Sequence, residues 1–130
     1  MNIGQASRAT GVSAKMIRYY ERIGLLTPAA RTDSNYRSFG ERDLNDLRFI
    51  RRARNLGFAV REIEHLLSLW RDRARPSREV KDLALRHVSE LEARIAEMQA
   101  MAATLRHLAG ACAGDARPAC PILHDLAKGS

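Results

Sequence analysis

The stretch "VSAKMIRYYERIGLL", residues 12–26, decides the fold. Ser13 is a good helix N-cap, because its hydroxyl can accept from a backbone N–H two or three residues on. Gly24 is a natural stop. Between them Met16, Ile17, Tyr20 and Ile23 recur at helical spacing, so one face of this helix is expected to be buried. Lys15, Arg18, Tyr19 and Arg22 lie off that stripe and leave a basic, partly aromatic outer face.

The preceding segment, "IGQASRATG" (3–11), carries Ile3 and Ala6 and ends at Gly11, so it reads as a shorter helix closed by a glycine. Two short helices about a tight turn form a helix-turn-helix, with residues 13–23 in the recognition position. "TPAARTDSNYRSFG" (27–40) then breaks the helical pattern with Pro28, Asp33-Ser34-Asn35 and Gly40. Tyr36, Ser38 and Phe39 suit short strands, giving a small hairpin, or wing, that displays Arg31, Tyr36 and Arg37. Arginine and tyrosine both bond phosphate oxygens.

Two further helices follow. In "ERDLNDLRFIRRARNLG" (41–57), Leu44, Leu47, Phe49, Ile50 and Ala53 form an apolar face. In "AVREIEHLLSLWRD" (59–72), Val60, Ile63, Leu66, Leu67 and Trp70 do the same, with Trp70 expected as a packing anchor. After Pro76, Ser77 opens a long helix. Ala84, Val88, Leu91, Ile95, Met98, Ala102, Leu105 and Ala109 alternate four and three residues apart, the 3.5-residue period of a coiled coil. A helix over 77–109 runs about 50 Å and outreaches a small domain, so a helix from a second copy is the natural cover. The organisation expected is mainly α: a DNA-binding winged helix-turn-helix over 1–70, a dimerisation helix over 77–109, and a short terminal segment over 110–130.

The chain has 130 residues, a net charge of +7 and 45% hydrophobic residues. Such a basic balance points to a polyanionic partner, foremost nucleic acid. No apolar run approaches the ~20 residues of a membrane helix, and no apolar leader opens the chain, so the expectation is a cytoplasmic protein with no membrane partner. No nucleophile–base pair, phosphate loop or carboxylate dyad stands in a plausible context, so no enzymatic activity is expected.

Both cysteines, Cys112 and Cys120, lie in "ACAGDARPACP" (111–121), a loop that Gly114, Pro118 and Pro121 keep out of regular helix. In a reducing compartment a lone pair reads as a metal or redox site rather than a staple. Two thiolates suit soft ions such as Cu(I), Ag(I) or Au(I), whereas structural zinc wants four ligands. Pro121 at a helix start would put Cys120 at a helix N-terminus, which lowers a thiol pKa. His107 and His124 flank the loop and are expected to face solvent. A thiol–disulfide switch remains open, as does an architectural DNA binder with a structural loop.

"IRYYERIGL" (17–25), the Tyr36-Arg37 pair, "LRFIRRARNLGF" (47–58) and the heptad helix together resemble the MerR family of transcription regulators, over the whole chain. The closing "ACAGDARPACPI" is similar to the copper-efflux-regulator branch of that family. The resemblance implies a homodimer with an antiparallel coiled coil, bound to promoter DNA and activating RNA polymerase by distorting an overlong spacer when metal binds. It implies DNA contacts at Ser13, Lys15, Arg18 and Tyr20, at Arg31, Tyr36 and Arg37 of the wing, and at Arg54. It implies Cys112 and Cys120 as ligands for one Cu(I)-class ion per loop. It also implies that Ser77, where divalent-sensing relatives carry a third cysteine ligand, selects for monovalent ions.

Overall fold

The computed structural model describes residues 1–27 and 38–129. Among them the architecture is all helical: α1 (Ile3–Thr10), α2 (Ala14–Arg22), α3 (Glu41–Asn55), α4 (Val60–Arg71), α5 (Ser77–Ala111) and α6 (Pro121–Lys128). The expected hairpin, with Arg31, Tyr36 and Arg37, falls in 28–37, outside the described residues. The chain divides into two compact units, Met1–Val80 and Lys81–Ser130.

Each helix of the first unit starts where its sequence supplies an acceptor for the free N–H groups of its first turn. Asn2 and Gln5 cap each other reciprocally at α1, at 2.8 and 2.9 Å. Ser13 Oγ accepts from the Met16 N–H at 3.2 Å, as expected for the start of α2. Asp43 accepts from the Gly40 N–H at 3.0 Å and Glu62 from the Ala59 N–H at 2.8 Å, placing carboxylates at the positive ends of α3 and α4.

The turn between α1 and α2 is held from outside. Gly11 closes α1 at φ 75°, a left-handed conformation that costs most residues about 1 kcal/mol or more. Arg51 of α3 reaches over it and donates to the Thr10 carbonyl at 3.3 Å. Its guanidinium fills the space beside Gly11 so closely that an added Cβ would sit 2.5 Å from Nη1. The helix-turn-helix is therefore fixed by α3 as well as by its own turn.

Ala6, Val12, Ile17, Tyr20, Leu25, Leu26, Phe39, Leu44, Leu47, Ile50, Ala53, Ile63 and Leu67 form one core. The backbones of Met1 and Phe39 exchange two hydrogen bonds, at 2.7 and 3.0 Å, and so bring Phe39 into it. Two expectations are corrected. Ile23, placed on the buried stripe of α2, is 40% exposed, because the helix ends at Arg22 and the chain turns inward through Leu25 and Leu26 instead. Trp70, expected to anchor the α3–α4 packing, lies outside the core at 61% exposure, and the buried residue of that last turn is Leu69. The Trp70 ring sits at the rim against Phe49, centroids 6.2 Å apart.

α5 is 35 residues long, about 52 Å at the helical rise. The heptad positions expected in its seam lie open along it: Val88, Ile95, Met98 and Leu105 are all exposed. No helix among the described residues is long and apolar enough to cross a membrane.

Candidate DNA-binding face and thiol loop

The outer face of α2 is a shallow depression of about 360 Å³ lined by Lys15, Met16, Arg18, Tyr19 and Arg22. Lys15, Arg18 and Ser13 are exposed, as a contact surface requires. Tyr19 and Arg22, which the sequence places off the apolar stripe, form a stacked pair, with the Arg22 guanidinium 5.5 Å from the ring centroid. They belong to the same face as Lys15 and Arg18.

Tyr20 is placed differently from the expectation of a DNA contact. Only 2% exposed, its ring packs in the core 5.8 Å from that of Tyr19. Its hydroxyl accepts a hydrogen bond from Arg54 Nη1 at 2.8 Å. That bond, and the Tyr20 oxygen's attraction, hold the Arg54 guanidinium above its ordinary pKa, so the donor stays charged. Arg54 thus ties the end of α3 to the back of the recognition helix. Arg51 does the same for its turn. Neither link is written in local sequence, since the partners lie 34 and 41 residues apart.

The second unit presents the cysteines. α5 runs on to Ala111, so Cys112 follows its last turn directly, its N–H bonded to the Ala109 carbonyl at 3.1 Å. Cys120 is the N-cap residue of α6, with Pro121 at the first helical position. Both thiols are free and half-buried. The Cys120 thiol is held below its ordinary value, chiefly by the backbone N–H of Leu123; desolvation opposes this, and the Ile122 N–H and then the Cys112 side chain lower it further by smaller amounts. No short capping bond reaches the sulfur, so this is the electrostatic influence of a helix N-terminus on a nearby anion.

The loop between them has its own internal order. Gly114 turns the chain at φ 66°. Asp115 then accepts from the Arg117 N–H at 2.9 Å and from its guanidinium at 2.7 Å, which holds the Asp115 carboxyl below the usual range. Sequence reasoning passed over this pair. His107 and His124 are exposed, as expected, and Ser77 stands exposed as the first residue of α5. The residues present fit a soft ion: two sulfurs that act on each other, one poised to ionise, beside a helix end that offsets negative charge.

Comparison with known proteins agrees with this geometry. Residues 1–70 match the model of the MerR HTH family regulatory proteins, and residues 44–108 that described as "MerR, DNA binding". The chain is 60% identical over 130 residues to heavy metal-dependent transcription regulator 2 of Rhizobium meliloti, covering all of this chain and 88% of that protein. It is 41% identical over 126 residues to the transcriptional regulator CueR of Escherichia coli O157:H7, covering 97% and 93%. Among solved structures it resembles the transcription regulator PbrR691 of Ralstonia metallidurans CH34 in complex with lead(II). That match has a TM-score of 0.84 and 31% identity, over 97% of this chain and 98% of the other.

Proposed function

The chain belongs to the MerR family of helix-turn-helix transcription regulators, and from that premise we propose that it is a metal-responsive regulator of promoter DNA whose signal is a Cu(I)-class ion. The 60% identity to a heavy metal-dependent regulator supports metal response as such. The choice among metals rests on the loop.

The observation that carries it is the pairing of Cys112 with Cys120 at the N-terminus of α6, where the thiol of Cys120 is already biased toward thiolate. Soft sulfur ligands favour Cu(I), Ag(I) and Au(I). Two thiolates about a monovalent ion leave a net charge of −1, and the α6 N-terminus compensates it. Ser77 in place of a third thiolate supports the same selectivity. One ion per loop is the expected stoichiometry.

In this reading two copies associate through the exposed α5 seam as an antiparallel coiled coil. Each presents the face of Ser13, Lys15, Arg18, Tyr19 and Arg22 to one half-site, with Arg31, Tyr36 and Arg37 adding wing contacts. Tyr20 and Arg54 set the attitude of α2 from behind. Metal binding biases the dimer toward an arrangement that distorts the promoter spacer and favours RNA polymerase. It does so only in so far as the ion binds the two arrangements with different affinity.

The test is transcription from the cognate promoter with a panel of metals, anaerobically and with excess reductant. Cu(I) and Ag(I) should activate the wild type and lead(II) and zinc(II) should not. Cys112→Ser and Cys120→Ser should bind the operator as wild type and lose the response. Activation of Cys112→Ser by copper would exclude the loop as the site. Activation by an oxidant with no response to any metal would establish the disulfide switch instead.

A further inference from the structure

The interval between the two cysteines is held by a device of its own. Cys112 is fixed to the end of α5, its N–H on the Ala109 carbonyl at 3.1 Å. Cys120 is fixed to α6 through its carbonyl, which accepts the His124 N–H at 3.1 Å. Eight peptide steps join the two and could spread them over roughly 26 Å. Yet their side chains act on each other, so the interval is folded back on itself. Residues 113–119 are all exposed in the chain, so its own core does not impose that shape. Gly114 turns the backbone at φ 66°. Asp115 Oδ1 then accepts the Arg117 N–H at 2.9 Å, and Oδ2 takes Nε and Nη2 of the same guanidinium, each at 2.7 Å. Pro118 restricts Arg117 from the other side, pressing its backbone toward the extended region. Among the described residues, the rest of 113–119 makes no hydrogen bond.

We propose that Asp115 is the positioning residue of the thiol pair: its carboxylate, closed around Arg117, keeps the Cys112 and Cys120 sulfurs within bridging reach of one soft ion. The proposal rests on the reading of these cysteines as ligands. Charge is not what the pair supplies. Asp115 and Arg117 cancel, so they add no net charge beside two thiolates, and an ion pair this open to water contributes little by itself. Its effect is on the freedom of the loop. Three bonds onto one carboxylate, between a left-handed glycine and a proline, leave few conformations to the residues that separate the sulfurs. A loop already in its bound shape loses less conformational entropy when an ion closes it, which raises affinity without adding a ligand.

Two probes are titrated into the reduced full chain, Ag(I) and phenylarsine oxide, each in competition with a small dithiol. The arsenical forms two As–S bonds, and its oxygen leaves as water with the two thiol protons, so no oxidant takes part. It reads the spacing of the sulfurs whatever the protein senses. Asp115→Ala should bind both probes about fivefold more weakly, the effect of losing one hydrogen bond. Its operator affinity without metal and its helical circular dichroism should stay at the wild-type values. Asp115→Asn keeps an acceptor for the Arg117 N–H and should return binding to within about twofold of wild type. Equal binding of both probes by Asp115→Ala overturns the inference and leaves the shape of the loop to the partner copy. Tighter binding by Asp115→Asn than by wild type overturns it too, since charge would then be what the pair supplies. So does a wild type in which the arsenical fails to protect both cysteines from iodoacetamide. A wild type that takes the arsenical across both thiols but not Ag(I) would sink the metal reading alone, with the role of Asp115 still decided by the arsenical.

Discussion

Among single residues, Cys120 and Tyr20 carry the most consequence. The Leu123 N–H lowers the Cys120 thiol below the ordinary value of 9.0. A lowered acid is charged above its shifted value and loses that charge as pH falls through it. Metal affinity should therefore be level in alkaline solution and drop on acidification within a window below pH 9.0, as the proton competes with the ion. Iodoacetamide labelling of Cys120 in Cys112→Ser should show its midpoint in that window. Leu123→Pro, tolerated in the first turn of α6, should move it upward by deleting the donor. For Tyr20, removing the hydroxyl deletes the bond from Arg54 and leaves the ring. Tyr20→Phe should cost about 1 kcal/mol in urea unfolding, with a matching loss of operator affinity. Lost affinity with unchanged unfolding would mark the hydroxyl as a DNA contact instead.

Among elements, α2 and α5 were legible in the sequence because each is written locally. Ser13, an apolar stripe and Gly24 bound α2. The alternating spacing of the α5 seam survives unchanged in a helix that buries only Leu83 and His87 of its own residues. α4 was legible as a helix but not in its last turn. Periodicity favours Trp70 and Leu67 together, yet Trp70 meets α3 only at its rim, against Phe49, and Leu69 is what the unit encloses. The clamps on the helix-turn-helix, Arg51 and Arg54, were not legible at all, for no local pattern records a contact over more than thirty residues. Since Ile95 is 53% exposed in one chain, Ile95→Asp should leave α5 intact. In a seam it would bury an unpaired charge at a cost of several kcal/mol. Sedimentation should report monomers with unaltered helical circular dichroism; a stable dimer would exclude this face as the interface.

For the whole molecule, charge and its distribution decide how the protein meets DNA. The excess of +7 attracts any duplex, and in the proposed reading Lys15 and Arg18 lie on the α2 face that meets it. Lys15→Ala should weaken operator and random DNA alike and reduce the slope of log affinity against log salt by about 1, as one lost phosphate contact does. Arg18→Ala should instead flatten preference at one base position, by about 1–3 kcal/mol. Binding titrations across a salt series separate the two. The thiol loop was legible as far as its two cysteines and the helix that begins at Pro121, since proline and cysteine spacing are local signals. The Asp115–Arg117 brace was not, because a single acid and a single base two residues apart look like any exposed turn. The contact at Gly11 also restricts how this protein can change over generations. With Arg51 in place, any side chain at position 11 meets a guanidinium as well as an adverse backbone angle. With Arg51 trimmed to alanine only the backbone penalty remains. The two sites should thus be only weakly coupled: the guanidinium is the far end of a flexible side chain and can swing aside at the cost of its bond to the Thr10 carbonyl, so Gly11→Ala costs mainly the backbone penalty and Arg51→Ala relieves only the smaller remainder.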